Sequence, residues 1–335
     1  MTVLVTGGSG FLGSAIVRGL LARSATVRSL ARSPAPELET LGVEVVRGDI
    51  ADRHAVDRAL AGCELVFHVA AKAGMWGAYA AYATSNIEGT RHVLDACRRH
   101  GVRRLVYTST PSVVHRGVDI EGGDERLPYA TRFDSPYPAT KAIAEQMVLA
   151  ANDAGLATVA LRPHLLWGPG DTQLVPRILE RARRGQLRLV DRGRAVVDVT
   201  YVDNAAHAHL LAADRLHPGS LVAGRAYFIA QGRPLPVRDL LGRILAAAGL
   251  PPATASVPFA VAYAAGATAE VVWRLLGREA EPPMTRFLAR QLATSHWFDL
   301  TAARCDLGYE PPVSLEEGLA RLARHLAGPG VSTNP

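Results

Sequence analysis

The stretch "VLVTGGSGFLGSAIVRGLLA", Val3 to Ala22, decides the fold of this chain. A short apolar run, Val3–Thr6, ends in glycine, and helical spacing of apolar residues begins at Phe11. Gly7, Gly10 and Gly13 stand between them at GxxGxxG spacing. Glycines in a strand–turn–helix let the backbone approach a pyrophosphate, and the helix N-terminus favours its charge. The reading is a dinucleotide site, to which the loop residues Ser9, Phe11 and Leu12 also belong.

Outward from that loop the alternation continues. Segments 25–30 and 43–47 read as strands, and 65–70 as a fully apolar central strand. Residues 87–100 read as a helix stopped by Gly101, and 104–108 as a strand. Residues 136–153 read as a helix with Ser135 as N-cap and Pro136 at its first position, followed by a strand at 156–161. Strands alternating with helices predict an α/β fold, a doubly wound parallel sheet of the Rossmann type. Prolines and glycines become dense after about residue 164. The expected division is a cofactor domain over 1–163 and a smaller, mostly helical substrate lobe over 164–330, with 203–216 packing back on the sheet. The small polar tail 328–335 is expected to fray.

The chain has 335 residues, 48% hydrophobic and 20% charged, with a net charge of +6. Its arginines are dispersed and not interleaved with aromatics, so no nucleic-acid partner is expected. Cys63, Cys97 and Cys305 lie far apart and form no CxxC, which predicts neither a disulfide framework nor a metal site. A reducing, cytoplasmic setting without a signal peptide is the expectation. The uncharged run 257–269 is too short to span a bilayer, which takes ~20 residues. It predicts a buried or pocket-lining helix, or else one that docks on a membrane surface or a partner.

Two further features carry chemistry. An acidic residue about 20 positions beyond the glycines would hold the ribose hydroxyls of NAD. The second strand instead runs into Ala31 and Arg32, a cation suited to a 2′-phosphate, with Arg28 as a possible helper. NADP(H) is therefore the expected cofactor. Tyr137 and Lys141 stand four apart on one helix and share its face. A phenol titrates near pH ~10, and a nearby ammonium would bring it toward the working range. Lys141 and Lys72 are the only lysines, against 35 arginines, since lysine and arginine together number 37. Lys72 follows the fourth strand at the carboxyl edge of the sheet, where ligands bind, and is assigned to a cofactor phosphate or a substrate anion. His207 and His209, two apart, point away from each other, and His68 reads as a core histidine.

With these features, the chain resembles the extended short-chain dehydrogenase/reductases, and within them the 3β-hydroxysteroid dehydrogenase-like family. The matching segments are TGGSGFLG, GDI (48–50), VFHVAA (66–71), SNIEGT (85–90), VYTSTPSVV (106–114), YPATK (137–141), LRPHLLWGPGD (161–171) and VTYVDNAAHAHLLA (199–212). The resemblance implies that Tyr137 is the catalytic acid and that Lys141 holds the nicotinamide ribose. It implies that the hydroxyl of Thr110, beside Ser109, polarises the carbonyl, and that Asn86 supports a proton relay. It implies cofactor contacts at Asp49, Ile50, Ala70, Ala71 and Pro163. AAKAGMWG (70–77) and two longer segments are most similar to the 2-alkyl-3-oxoalkanoate reductases of bacterial olefin synthesis. That implies an apolar keto or hydroxy substrate, and pathway enzymes as partners. The substrate pocket is assigned to Lys72, Trp76, Trp167 and Tyr201, and a homo-oligomer is expected. A sterol 3β-dehydrogenase or an aldehyde reductase would use the same residues, and a non-catalytic NADP(H) sensor would have the same fold.

Overall fold

The computed structural model describes residues 1–328. The tail expected to fray lies outside the described residues from 329 on. Seven parallel strands form the large sheet: β1 (Thr2–Thr6), β2 (Thr26–Ala31), β3 (Glu44–Arg47), β4 (Leu65–His68), β5 (Arg104–Thr108), β6 (Ala157–Pro163) and β7 (Arg225–Ile229). Their order across the sheet is β7-β6-β5-β4-β1-β2-β3. From β1 the strand order runs outward one way to β2 and β3 and from β4 the other way to β5, β6 and β7, and this switch point makes a ligand crevice at the carboxyl ends of β1 and β4.

Side-chain alternation along the strands divides the core. Val3 and Val5 join Ile16, Val17 and Leu20 of α1 (Phe11–Ala22), while Leu4 joins Val56 and Ala59 of α3 (Arg53–Leu60). The first face is completed by α8 (Val202–Arg215), which packs on α1. The second is completed by α5 (Gly89–Arg99) and α6 (Pro136–Ala150). Ser135 caps α6 by accepting a hydrogen bond from the Tyr137 N–H, and Pro136 sits at its first position. The doubly wound sheet expected from the sequence is thus present, and residues 203–216 fold back on it almost in full.

The remaining segments form the lobe that carries α7 (Leu174–Arg183), α9 (Val237–Ala247), α10 (Phe259–Leu275), α11 (Arg286–Ala293) and α12 (Leu315–Ala327). A small sheet orders Leu235–Pro236, Val196–Val197, His296–Phe298 and Ile120–Gly123. The two halves exchange strands: β7 comes from beyond residue 164, and Ile120–Gly123 comes from before it. Two- to four-residue strands carry no measurable periodicity, which is why composition alone drew a boundary at 163. The run 257–269 is neither buried nor pocket-lining along its length. In α10 only Ala262, Gly266 and Glu270 are buried, and Val261, Val271 and Leu275 face outward. No helix among the described residues is long and apolar enough to cross a membrane.

Candidate active site

The crevice at the carboxyl ends of β1, β2 and β4 is a cleft of about 390 Å³. Gly7, Ser9, Gly10, Phe11, Leu12 and Gly13 line its floor. Gly7 has φ +70°, and a Cβ there would lie 3.0 Å from the Cα of Ala70. A Cβ on Gly13 would lie 2.1 Å from the Gly7 carbonyl oxygen. The loop therefore needs glycine for its turn and for the close seat of α1 on it. Opposite it, Thr6 Oγ1 accepts from the N–H groups of Val69 and Ala70, each at 3.1 Å, and bonds His68 Nδ1 at 2.9 Å. That junction fixes Ala70 and Ala71 along the cleft wall. His68 is buried and neutral, its pKa lowered to about 3 by desolvation and then by Lys141. It is a structural group, as its apolar strand suggested.

At the far end of the cleft Asp49 and Ile50 line the wall, and Asp49 Oδ1 accepts from the Ala51 N–H at 2.9 Å. Arg32 lines the same end, its side chain 73% exposed and only 4.0 Å from Asp49 Oδ2. An exposed pair at that distance holds the guanidinium weakly, so it remains able to meet an anion. Arg28 is different. Its guanidinium donates to Glu44 and to the carbonyls of Ala59 and Ala61, at 2.7, 3.1 and 2.6 Å. The expected helper for Arg32 is a fastener between β2 and α3.

At the near end Tyr137, Lys141 and Ser109 line the cleft. Lys141 Nζ donates to the Thr108 carbonyl at 2.5 Å and lies 4.1 Å above the Tyr107 ring. Burial lowers the ammonium to about 7, opposed by Glu145 one turn further along α6. Burial also pushes the Tyr137 phenol up to about 12, opposed by a hydrogen bond from Thr110. The phenol is not brought down by the ammonium here, contrary to the expectation from their spacing. Desolvation is the largest influence on both groups, and the ammonium is aimed at the Thr108 carbonyl. Thr110 also caps the turn Pro111–Val113, accepting from the Ser112 N–H at 3.2 Å. The Ser109 hydroxyl is buried without a hydrogen-bond partner, so two hydroxyls stand beside the phenol's cleft.

Asn86 lies in a π-helical turn, Thr84–Glu88, that leads into α5. Its Oδ1 accepts from the Lys72 N–H at 2.8 Å, and its Nδ2 donates to the Lys72 carbonyl at 3.1 Å and to Thr140 Oγ1 at 3.0 Å. Every donor of the amide is spent on the Lys72 peptide and α6. Its contacts are those of a clamp between the loop at Lys72 and α6, and none of them is with Lys141.

A second cavity of about 610 Å³ opens beside the cleft. Lys72, Met75, Trp76, Pro136, Glu270 and Trp273 are among its walls, with Arg274 and Arg278. Trp76 is one of its walls, its Nε1 donating to the Arg278 carbonyl at 3.1 Å. Trp167 and Tyr201 are not in it. They are 0% and 2% exposed and pack edge-to-face at 5.3 Å in the core, against Gly318 of α12. Short parallel strands, Leu166–Trp167 and Thr200–Tyr201, turn these rings inward while Leu166 reaches the cleft. Pro163 is buried at the end of β6 and is not among the residues that line the cleft, whereas Leu166 is. The charged groups on the cavity rim, Glu270, Arg274 and Arg278, had no motif to mark them. The only signal was the change from apolar to charged residues along α10.

The model of the 3-beta hydroxysteroid dehydrogenase/isomerase family matches residues 4–259. A 2-alkyl-3-oxoalkanoate reductase of Stenotrophomonas maltophilia is 57% identical over 96% of this chain and 98% of its own. One of Shewanella oneidensis is 49% identical over 96% of this chain and 85% of its own. Among solved structures, a Thermus thermophilus UDP-glucose 4-epimerase complex with NAD superposes with a TM-score of 0.74 at 28% identity, covering 98% of this chain and 100% of that one. The chain belongs to the 3-beta hydroxysteroid dehydrogenase/isomerase family and is an oxidoreductase.

Proposed function

We propose that this member of the 3-beta hydroxysteroid dehydrogenase/isomerase family reduces a 2-alkyl-3-oxoalkanoate to the 2-alkyl-3-hydroxyalkanoate with NADPH. The observation that carries the chemistry is one cleft bearing the glycine loop, a protonated phenol and a buried lysine. Two reductases of that name, similar along nearly the whole chain, support the substrate class. The cavity of about 610 Å³ beside the cleft is within the range of small-molecule pockets.

The residues present fit a dinucleotide. Gly7 and Gly13 leave space that any Cβ would fill, and α1 presents its N-terminus to the cleft. Arg32 is assigned to a 2′-phosphate, Asp49 and Ile50 to the adenine end, and Lys141 to the nicotinamide ribose. Bound there, the cofactor supplies the hydride. Tyr137, kept protonated across neutral pH by its raised pKa, gives its proton to the carbonyl oxygen as charge grows there. Thr110 or Ser109 donates a hydrogen bond to that same oxygen.

The test is isotopic. NADPH deuterated at C4 is incubated with the protein and a 2-alkyl-3-oxo acid, and the product is read by mass spectrometry. Deuterium at C3 of a 2-alkyl-3-hydroxy acid is expected. Recovery of undeuterated keto acid would refute the reduction.

A further inference from the structure

Lys72 is the one residue that lines both the cofactor cleft and the second cavity among their described walls. Its main chain is gripped on both sides of the peptide by buried Asn86, through the Lys72 N–H and the Lys72 carbonyl. Its ammonium is left free. It forms no ion pair among the described residues and rests 5.4 Å from the centre of the Tyr82 ring.

The other cations of the second cavity are placed differently. Arg274 is 3.9 Å from the Glu270 carboxylate and lies over the Trp76 ring. Arg278 lies over the Trp273 ring. Neither lines the cofactor cleft. A 3-oxo acid carries its carboxylate only one carbon away from the carbonyl that is reduced. The cation that meets it must therefore sit where the two cavities join, not at the outer rim.

We propose that Lys72 is the carboxylate subsite of this enzyme, with Asn86 the positioning residue that fixes its main chain. The proposal rests on the 3-oxo acid reading above and deepens it. It gives Asn86 a task that its contacts describe, and it makes the acid group, not chain length, the first thing the site selects. A compact ammonium on a flexible stem suits this place, since it can follow the carboxylate as the neighbouring carbon changes geometry.

The experiment runs in the oxidative direction, because 2-alkyl-3-hydroxy acids are stable. Purified protein with NADP⁺ is given a long-chain 2-alkyl-3-hydroxy acid, or the matching secondary alcohol that lacks the carboxyl group. The ratio of kcat/KM for acid over alcohol is compared in wild type, Lys72→Met, Lys72→Gln and Asn86→Ala, with cofactor dissociation constants taken from fluorescence. A preference of wild type for the acid tests the substrate reading. Collapse of that preference by about 10- to 100-fold in both Lys72 variants, mostly through KM, is the result expected for a lost charge-assisted contact. Lys72→Arg should recover part of it, and Asn86→Ala should lose a smaller part. If wild type prefers the acid and the Lys72 variants keep that preference, the subsite is refuted and the substrate reading stands. If wild type shows no preference for the acid, both are refuted. If the Lys72 variants instead weaken NADP⁺ as much as they weaken the acid, the ammonium serves cofactor phosphate and the proposal falls.

Discussion

At the scale of single residues, the site is governed by burial. Burial pushes the Tyr137 phenol up to about 12, and in the proposed role of proton donor its removal should cost proton delivery and little else. Tyr137→Phe is expected to lower kcat by roughly 10²- to 10⁴-fold, with NADPH affinity by fluorescence within twofold of wild type. Desolvation lowers the Lys141 ammonium to about 7, against the opposing pull of Glu145. A polyanionic cofactor beside it favours the charged form, so binding should raise its pKa and take up a proton at about pH 8. Calorimetry in buffers of different ionisation enthalpy should show that uptake, and Lys141→Met should abolish it. Arg32→Asp should move preference from NADPH toward NADH, read as the ratio of the two kcat/KM values, and an unchanged ratio would contradict the assigned 2′-phosphate contact. The glycines and the Tyr–Lys pair were legible because their chemistry demands both residue type and spacing. Arg28, Trp167 and Tyr201 misled because adjacency to a motif says nothing of the side chain's direction. Arg28 faces α3, and the two rings face α12.

At the scale of elements, α6 carries the site and is anchored from beneath. Tyr137, Lys141 and Glu145 follow one another at helical spacing on one face. Glu145 is fully buried and paired with Arg162 of β6, Nη2 to Oε1 at 2.5 Å, and accepts from the Tyr129 hydroxyl at 2.6 Å. Arg162 also lies over the Phe228 ring at 5.0 Å. Removing one member leaves an uncompensated buried charge. Arg162→Met should destabilise the protein by about 3–5 kcal/mol, and the double variant with Glu145→Met should recover most of it. Urea denaturation measures both, and additive losses would contradict a buried pair. The helix itself was legible from Ser135, Pro136 and its apolar spacing. Its anchor was not, because Arg162 and Glu145 sit in different elements whose register the sequence does not state. Asn86 was legible as a site residue but not as a clamp, since the π-helical turn that aims it has no sequence signature.

At the scale of the whole molecule, four histidines among the described residues are buried and a fifth, His115, is half-buried, and all five are shifted toward the neutral form. His115 and His209 are lowered to about 4 and His68 to about 3, in each case chiefly by desolvation. His164 and His296, which share a hydrogen bond at 2.8 Å between β6's end and the small sheet, are lowered too, again first by desolvation and, for His164, also by its neighbours' charge. Below their ordinary value near ~6.5 the unfolded chain binds protons that the folded chain does not, so stability falls with falling pH across that window. Asp198, raised to about 6 by burial, and Glu125, also raised by burial, oppose this over the lower part of the window. The urea midpoint should therefore drop steadily between about pH 7 and pH 4.5, and a flat profile would contradict neutral buried histidines. The parallel sheet was legible from alternation of strand and helix. The lobe was legible only as a change of texture, because its strands are two to four residues long and the two halves trade strands between sheets. The claim that joins these scales is that the cleft and its neighbouring cavity serve one 3-oxo acid. Its most direct test is the initial rate of NADPH oxidation by the purified protein with a long-chain 2-alkyl-3-oxo acid and with a 3-ketosteroid, side by side. Turnover of the acid with a kcat/KM at least about tenfold above that of the steroid is expected, and equal or better turnover of the steroid would contradict a site built for a 3-oxo acid.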